Sequence, residues 1–213
     1  MKKKVLLALP VFIFIAALLH GGYACAKDGS LATRTIAPVV STDWLAANSG
    51  LKDLVIIDMR SNALYGAGHI PNAINIPFAE DVSVWVTKRD NLALLLPDDA
   101  DLFKVIGSAG IKSESRVVIV NDAFPADPKT PPTYPRSYAT KVADTLIYAG
   151  VKNVAILDGG HTKWVKEGRT LSKDIVTPMP VTYRGEVNKA MFVSRHYVKE
   201  KIGYCQFDCV NFS

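Results

Sequence analysis

The sequence predicts an α/β fold in which a parallel sheet is packed between helices. Three observations predict it. Arg116-Val117-Val118-Ile119-Val120 and Val154-Ala155-Ile156-Leu157 are short, uninterrupted apolar runs, as in strands buried on both faces. Between them, Arg136 to Ala149 places Tyr138, Ala139, Val142, Ala143, Leu146 and Ile147 on one helical face, and Gly150 follows as a C-cap. Each run ends in turn residues, Asn121 to Pro135 after the first and Asp158-Gly159-Gly160 after the second. Ligands of open α/β sheets sit at the carboxyl ends of strands, so the loop from Asn121 is where a site is expected.

At 213 residues and 49% hydrophobic content, the chain has room for one well-cored domain and part of another. The net charge is +5, but Lys2, Lys3 and Lys4 belong to an amino-terminal leader, and without them it is +2. A near-neutral chain gives no electrostatic case for nucleic acid. Residues 1–26 read as a signal peptide. Met1 to Lys4 is the charged segment, Val5 to Leu19 is an uncharged apolar run, and Ala24-Cys25-Ala26 is an A-x-A cleavage site. The apolar run falls short of the roughly 20 residues that span a bilayer, so cleavage and export are favoured over an uncleaved anchor. The expected location is periplasmic or extracellular, with no stable membrane span after cleavage. A lipidated Cys25 is the weaker alternative, because the leucine usual three residues earlier is Gly22.

The remaining elements follow in order. Residues 27–38 are a polar arm. Ser41 or Thr42 caps a short helix through Asn48, with Asp43 in its first turn. Leu54-Val55-Ile56-Ile57 is a buried strand ending in Asp58-Met59-Arg60, and Ser61 or Asn62 caps another short helix. Gly66, Gly68 and Pro71 mark a tight turn before a strand at Ala73–Ile76. Helical material is expected within Ala79–Leu96. Asp98 to Ala109 is an amphipathic helix ended by Gly110, and it leads into the Arg116 strand.

Asp58 and Arg60, at a strand's carboxyl end, could serve as a catalytic acid and an anion clamp. The favoured reading is an ion pair that fixes the strand end to a neighbouring loop. His69, between Gly68 and Ile70, reads as a residue that satisfies a backbone group rather than a metal ligand. No His, Cys, Asp or Glu cluster has metal-site spacing, and Gly159-Gly160 alone is a weak phosphate signal, so neither metal nor cofactor is expected.

These residues carry a resemblance. Asp58-Met59-Arg60, then Tyr65-x-x-Gly68-His69-Ile70-Pro71-x-Ala73-x-Asn75, resembles the first signature of the rhodanese (sulfurtransferase) family. Leu157-Asp158-Gly159-Gly160-x-x-x-Trp164 resembles its closing signature. The resemblance implies a rhodanese-like, five-stranded parallel sheet with helices on both faces. The stretch from Leu95-Leu96-Pro97 to Gly110-Ile111 resembles the tandem subgroup, the thiosulfate and mercaptopyruvate sulfurtransferases. In that subgroup the second of two such domains carries the nucleophile.

The family's chemistry needs a cysteine at the start of the loop after the Val117–Val120 strand. Its thiolate takes sulfur from a donor as a persulfide, steadied by backbone N–H groups. Here that loop begins Asn121-Asp122, and the chain has no cysteine between Ala26 and Tyr204. Pro125, Pro128, Pro131, Pro132 and Pro135 each remove a donor N–H, and Asp122 adds negative charge where an anion would sit. Arg136-Ser137 matches the family's Arg-Ser at the helix start. Arg136 is either an anion contact or a solvated first-turn residue.

Phe192 to Val198 resembles Val39 to Leu45, an internal repeat offset by 153 residues. We therefore expect a rhodanese-like domain at residues 38–172, and a linker and the stub of a truncated second domain at 173–213. Cys205 and Cys209 are read as stub residues, with a disulfide or a catalytic thiol as alternatives. In an extended chain they lie about 13 Å apart, too far for a bridge without a turn. Three functions stay open. One is an exported, catalytically silent family member. Another is an active sulfurtransferase using a tail cysteine or a second domain from elsewhere. The third is a module that binds a protein partner through the proline-rich loop. A small sulfur donor is the partner that the resemblance implies.

Overall fold

The protein is described by a computed structural model covering residues 34–79, 83–122 and 134–202. The expected leader, most of the proline-rich loop, Cys205 and Cys209 lie outside these residues.

Five strands form one parallel sheet: β1 (Val39–Val40), β2 (Leu54–Asp58), β3 (Ala73–Asn75), β6 (Arg116–Val120) and β7 (Asn153–Leu157). Their order is β1-β7-β6-β2-β3. Among the described residues six α-helices accompany them: α1 (Thr42–Asn48), α2 (Asn62–Ala67), α3 (Asp99–Ser108), α4 (Tyr134–Tyr148), α5 (Gly160–Lys166) and α6 (Arg195–Lys201). Alternate residues of a strand point to opposite faces, and this divides the core in two. Ile57, Val117, Ile119 and Val154 pack with Leu102 and Ile106 of α3 and with Ala139, Val142 and Leu146 of α4. Ile56, Val118, Val120, Ala155 and Leu157 pack with Leu45 of α1, Tyr65 of α2 and Trp164 of α5. The central strand β6 faces helices on both sides, hence its unbroken apolar run.

Local chemistry sets the ends. The Ser41 hydroxyl caps α1 by accepting from Trp44 N at 3.1 Å, and the Ser61 hydroxyl caps α2 by accepting from Leu64 N at 3.3 Å. Gly150 ends α4 at φ 94°, where Gly150 N donates to Ile147 O and Val151 N to Leu146 O, both at 3.0 Å. That pair of bonds is a Schellman motif, and its left-handed residue favours glycine. α4 begins at Tyr134, two residues before the expected Arg136. Proline is tolerated in a first turn, because its missing N–H has no partner there.

The expected helical material within Ala79–Leu96 is corrected. The described residues of this stretch hold a hairpin, β4 (Thr87–Arg89) paired antiparallel with β5 (Leu92–Leu95). Asp90 and Asn91 join them with φ 49° and 63°, a primed turn that sets Arg89 opposite Leu92. Trp85, fully buried, precedes the hairpin and donates its indole N–H to Ile76 O at 3.2 Å.

After α5 the chain runs back over the domain as a strap. His69 N donates to Ser172 O at 2.9 Å, and Ser172 N returns a bond to His69 O at 2.8 Å. Val181 N donates to Gly107 O of α3 at 2.9 Å, and Asn188 N to Tyr148 O of α4 at 2.7 Å. Tyr183 is buried between them and gives its hydroxyl proton to Ala149 O at 2.8 Å. Burial pushes that hydroxyl up to about 12. Beyond the strap, Ser194 caps α6 by accepting from Tyr197 N at 3.1 Å, as Ser41 caps α1 153 residues earlier. Leu45 of α1 is buried, whereas no residue of α6 is.

Candidate functional site

A cavity of about 250 Å³ opens at the carboxyl ends of β6 and β7, beside Val39 of β1 and the first turns of α4 and α5. Asn121 holds its parts together. Its side-chain Nδ2 donates to Pro135 O at the start of α4 at 2.7 Å, and its Oδ1 accepts from Asp122 N at 2.9 Å. Its backbone oxygen accepts from His161 N at 2.9 Å, tying β6 to α5. That approach requires glycine at 160, because a Cβ there would overlap the Asn121 carbonyl, and φ is 56°. Asp122, Arg136, Asp158 and Gly159 complete the polar rim.

Behind the rim lies a buried chain of charges. Asp58 is fully buried and Arg60 nearly so. Arg60 Nε reaches Asp58 Oδ1 at 3.0 Å, and Nη2 reaches Oδ2 at 2.6 Å. Nη2 also donates to Gly68 O at 2.9 Å, and Nη1 donates to His161 Nδ1 at 2.9 Å. A guanidinium can only donate, so His161 accepts at Nδ1 and keeps its own proton on Nε2. Burial, and then the Arg60 charge, push the His161 ring below its usual 6.5. Asp122 Oδ1 lies 3.8 Å from the same Nδ1. Burial raises the Asp122 carboxyl, against the lowering pull of Arg60 and His161.

The other residues singled out from sequence surround this chain. Asn75 Nδ2 donates to the backbone oxygens of Asp58 at 2.8 Å and Arg60 at 2.9 Å, fixing the strand end. His69 is buried and stacked on Tyr65 with centroids 3.7 Å apart. Its ring nitrogens lie 3.0 Å from Tyr65 O and 3.1 Å from Asp174 O. Pro71 occupies the second position of a turn closed by Ala73 N donating to Ile70 O, and Asn72 follows with φ 67°. Trp164 donates its indole N–H to Thr170 O at 2.9 Å. Asn121, Asp122, Arg136, Gly159 and Gly160 therefore share the cavity, while Asp58, Arg60, Gly68 and Asn75 form the support behind it. His69, Pro71 and Trp164 stand outside it. Among the described residues, no three His, Cys, Asp or Glu side chains come together as metal ligands.

Sequence reasoning missed His161. The available signal was a histidine directly after the glycine pair that ends β7, on the first turn of the following helix. Nothing in the sequence showed that Arg60, 101 residues earlier, would reach it.

The model of the rhodanese-like domain matches residues 41–167. The chain belongs to the rhodanese-like domain family. It is 26% identical over 200 residues to a putative thiosulfate sulfurtransferase of Synechococcus elongatus, covering 93% of this chain and 58% of that relative. It is 25% identical over 176 residues to a probable 3-mercaptopyruvate sulfurtransferase of Pseudomonas aeruginosa, covering 78% of this chain and 58% of the relative. Among solved structures, the 3-mercaptopyruvate sulfurtransferase SseA of Escherichia coli superposes with a TM-score of 0.63 at 21% identity. That match covers 78% of this chain and 62% of that one. The rhodanese-like chain thus spans a little over half the length of these curated relatives, and the solved structure shares its fold.

Proposed function

We propose that this is an exported rhodanese-family protein whose rhodanese-like domain does not transfer sulfur in this chain. The observation that carries the reading is the occupant of the β6 carboxyl end. Asn121 and Asp122 stand there without a thiol. The Asn121 side chain bridges to Pro135, and the Asp122 carboxyl lines the cavity. A persulfide needs a thiolate to form on and donors to steady it. A carboxylate supplies neither, and it repels an anionic donor such as thiosulfate.

The full chain, assayed for sulfur transfer from thiosulfate or mercaptopyruvate to cyanide, should show no turnover above a no-enzyme control. Placing cysteine at Asn121 or Asp122 should restore little, because the five prolines that follow remove N–H groups that a thiolate needs to lower its pKa. Turnover in the unmodified chain, abolished by Cys205→Ser or Cys209→Ser, would overturn this reading and move the active site into the tail.

Export rests on the leader's charged, apolar and A-x-A segments. The mature protein recovered from the exporting compartment should begin at Lys27 by mass spectrometry. An exported protein that retains Met1 to Ala26 intact would refute cleavage.

A further inference from the structure

Two neighbours compete for one nitrogen of His161. Nδ1 lies 2.9 Å from Arg60 Nη1 and 3.8 Å from Asp122 Oδ1. The bond to Arg60 requires Nδ1 to be bare, because a guanidinium only donates. A bond to the Asp122 carboxylate requires Nδ1 to carry a proton. The two bonds are mutually exclusive, and one proton decides between them. We propose that His161 is a proton-operated switch of the cavity: on gaining a proton it releases Arg60 and donates Nδ1–H to Asp122.

The proton comes from solvent, and no other bond is made or broken covalently. In the neutral arrangement the proton sits on Nε2, which is buried and meets no hydrogen-bond partner among the described residues. That proton stays on Nε2 in both states, so the switch turns on Nδ1 alone. In the protonated arrangement the imidazolium and guanidinium would repel at their present spacing, and the Asp122 carboxylate, 3.8 Å from Nδ1, is an acceptor of opposite charge that can relieve this.

The charged groups around the ring are few. β2 contributes Asp58 and Arg60, and the end of β6 contributes Asp122. α5 itself contributes Lys163, whose ammonium is bound to Asp158 at 2.6 Å. From the turn after α2 comes the Gly68 carbonyl, already accepting from Arg60. His161 N is bonded to Asn121 O, so motion of the ring is transmitted to the Asn121–Asp122 segment at the cavity rim. In the protonated state the Asp122 charge is compensated, and the rim becomes less negative at that position.

The supporting titration has a defined sign. His161 is lowered in the folded chain, so its contribution to stability is complete above the ordinary 6.5 and is lost as pH falls through its folded value. Asp122 is raised, chiefly by its burial, so the two shifts run toward one another.

The test is a nitrogen-15 NMR titration of the full chain from neutral to acid pH, with the His161 ring assigned by its absence in His161→Gln. The neutral ring should carry its proton on Nε2, and it should titrate with a midpoint below 6.5. The backbone amide signals of Asn121 and Asp122 should move with that same midpoint. Asp122→Asn should lower the midpoint further, and His161→Gln should abolish the amide shifts. The wild-type and Asp122→Asn titrations decide the matter by themselves if His161→Gln fails to fold. A proton on Nδ1 at neutral pH would overturn the proposal. So would a midpoint at or above 6.5, or amides that ignore the ring's titration.

Discussion

Replacing Arg60 with alanine should destabilise the fold by about 3–5 kcal/mol in denaturant unfolding, because it leaves a buried carboxylate uncompensated. Asp58 is fully buried, and the Arg60 guanidinium is its salt-bridge partner at 2.6 Å. The same guanidinium reaches Gly68 O and His161, so three elements lose a common anchor together. The cause can be separated from the lost contacts. Combining Arg60→Ala with Asp58→Asn removes the stranded charge, and the pair should be less destabilised than Arg60→Ala alone. A loss below about 1 kcal/mol in the single variant would mean that water reaches Asp58 and that the pair is in effect a surface ion pair.

Truncating Ile119 to alanine should cost about 2–5 kcal/mol by the same measurement. The side chain is fully buried on β6, between Ile57 of β2 and Ile156 of β7. It faces the layer formed by α3 and α4, where Ile106 and Leu146 are also fully buried. A cavity there is closed on both sides by strands, so collapse is limited and the upper half of the range is expected. A loss under about 0.5 kcal/mol would place this strand at the surface.

Much of the fold was legible one residue at a time. Val117 to Val120 and Val154 to Leu157 read as buried strands because a strand covered on both faces needs no polar alternation. Ser41, Ser61 and Gly150 marked helix ends because capping depends on the residue at the end and its near neighbours. The Asp90-Asn91 turn is equally local, but it falls within Ala79–Leu96, where the sequence reading expects helical material and no hairpin. Leu92 to Leu96 is apolar without interruption, and a short apolar run does not distinguish strand from helix by periodicity. The primed turn before it was the deciding signal.

The site divides along the same line. The sequence by itself determined that a β-α-β unit would present a loop at Asn121, that no thiol would stand there, and that Asp58, Arg60 and Asn75 belonged to one signature. Only the tertiary structure decided that Arg60 lies between Asp58 and His161, that Asp122 faces the same ring nitrogen, and that Tyr183 is part of the core. The physical reason is the separation in sequence. Caps and buried strands are decided by neighbours within a few residues, which the sequence displays. The tautomer of His161 is decided by a guanidinium 101 residues away, brought within 2.9 Å by the parallel packing of β2, β6 and β7.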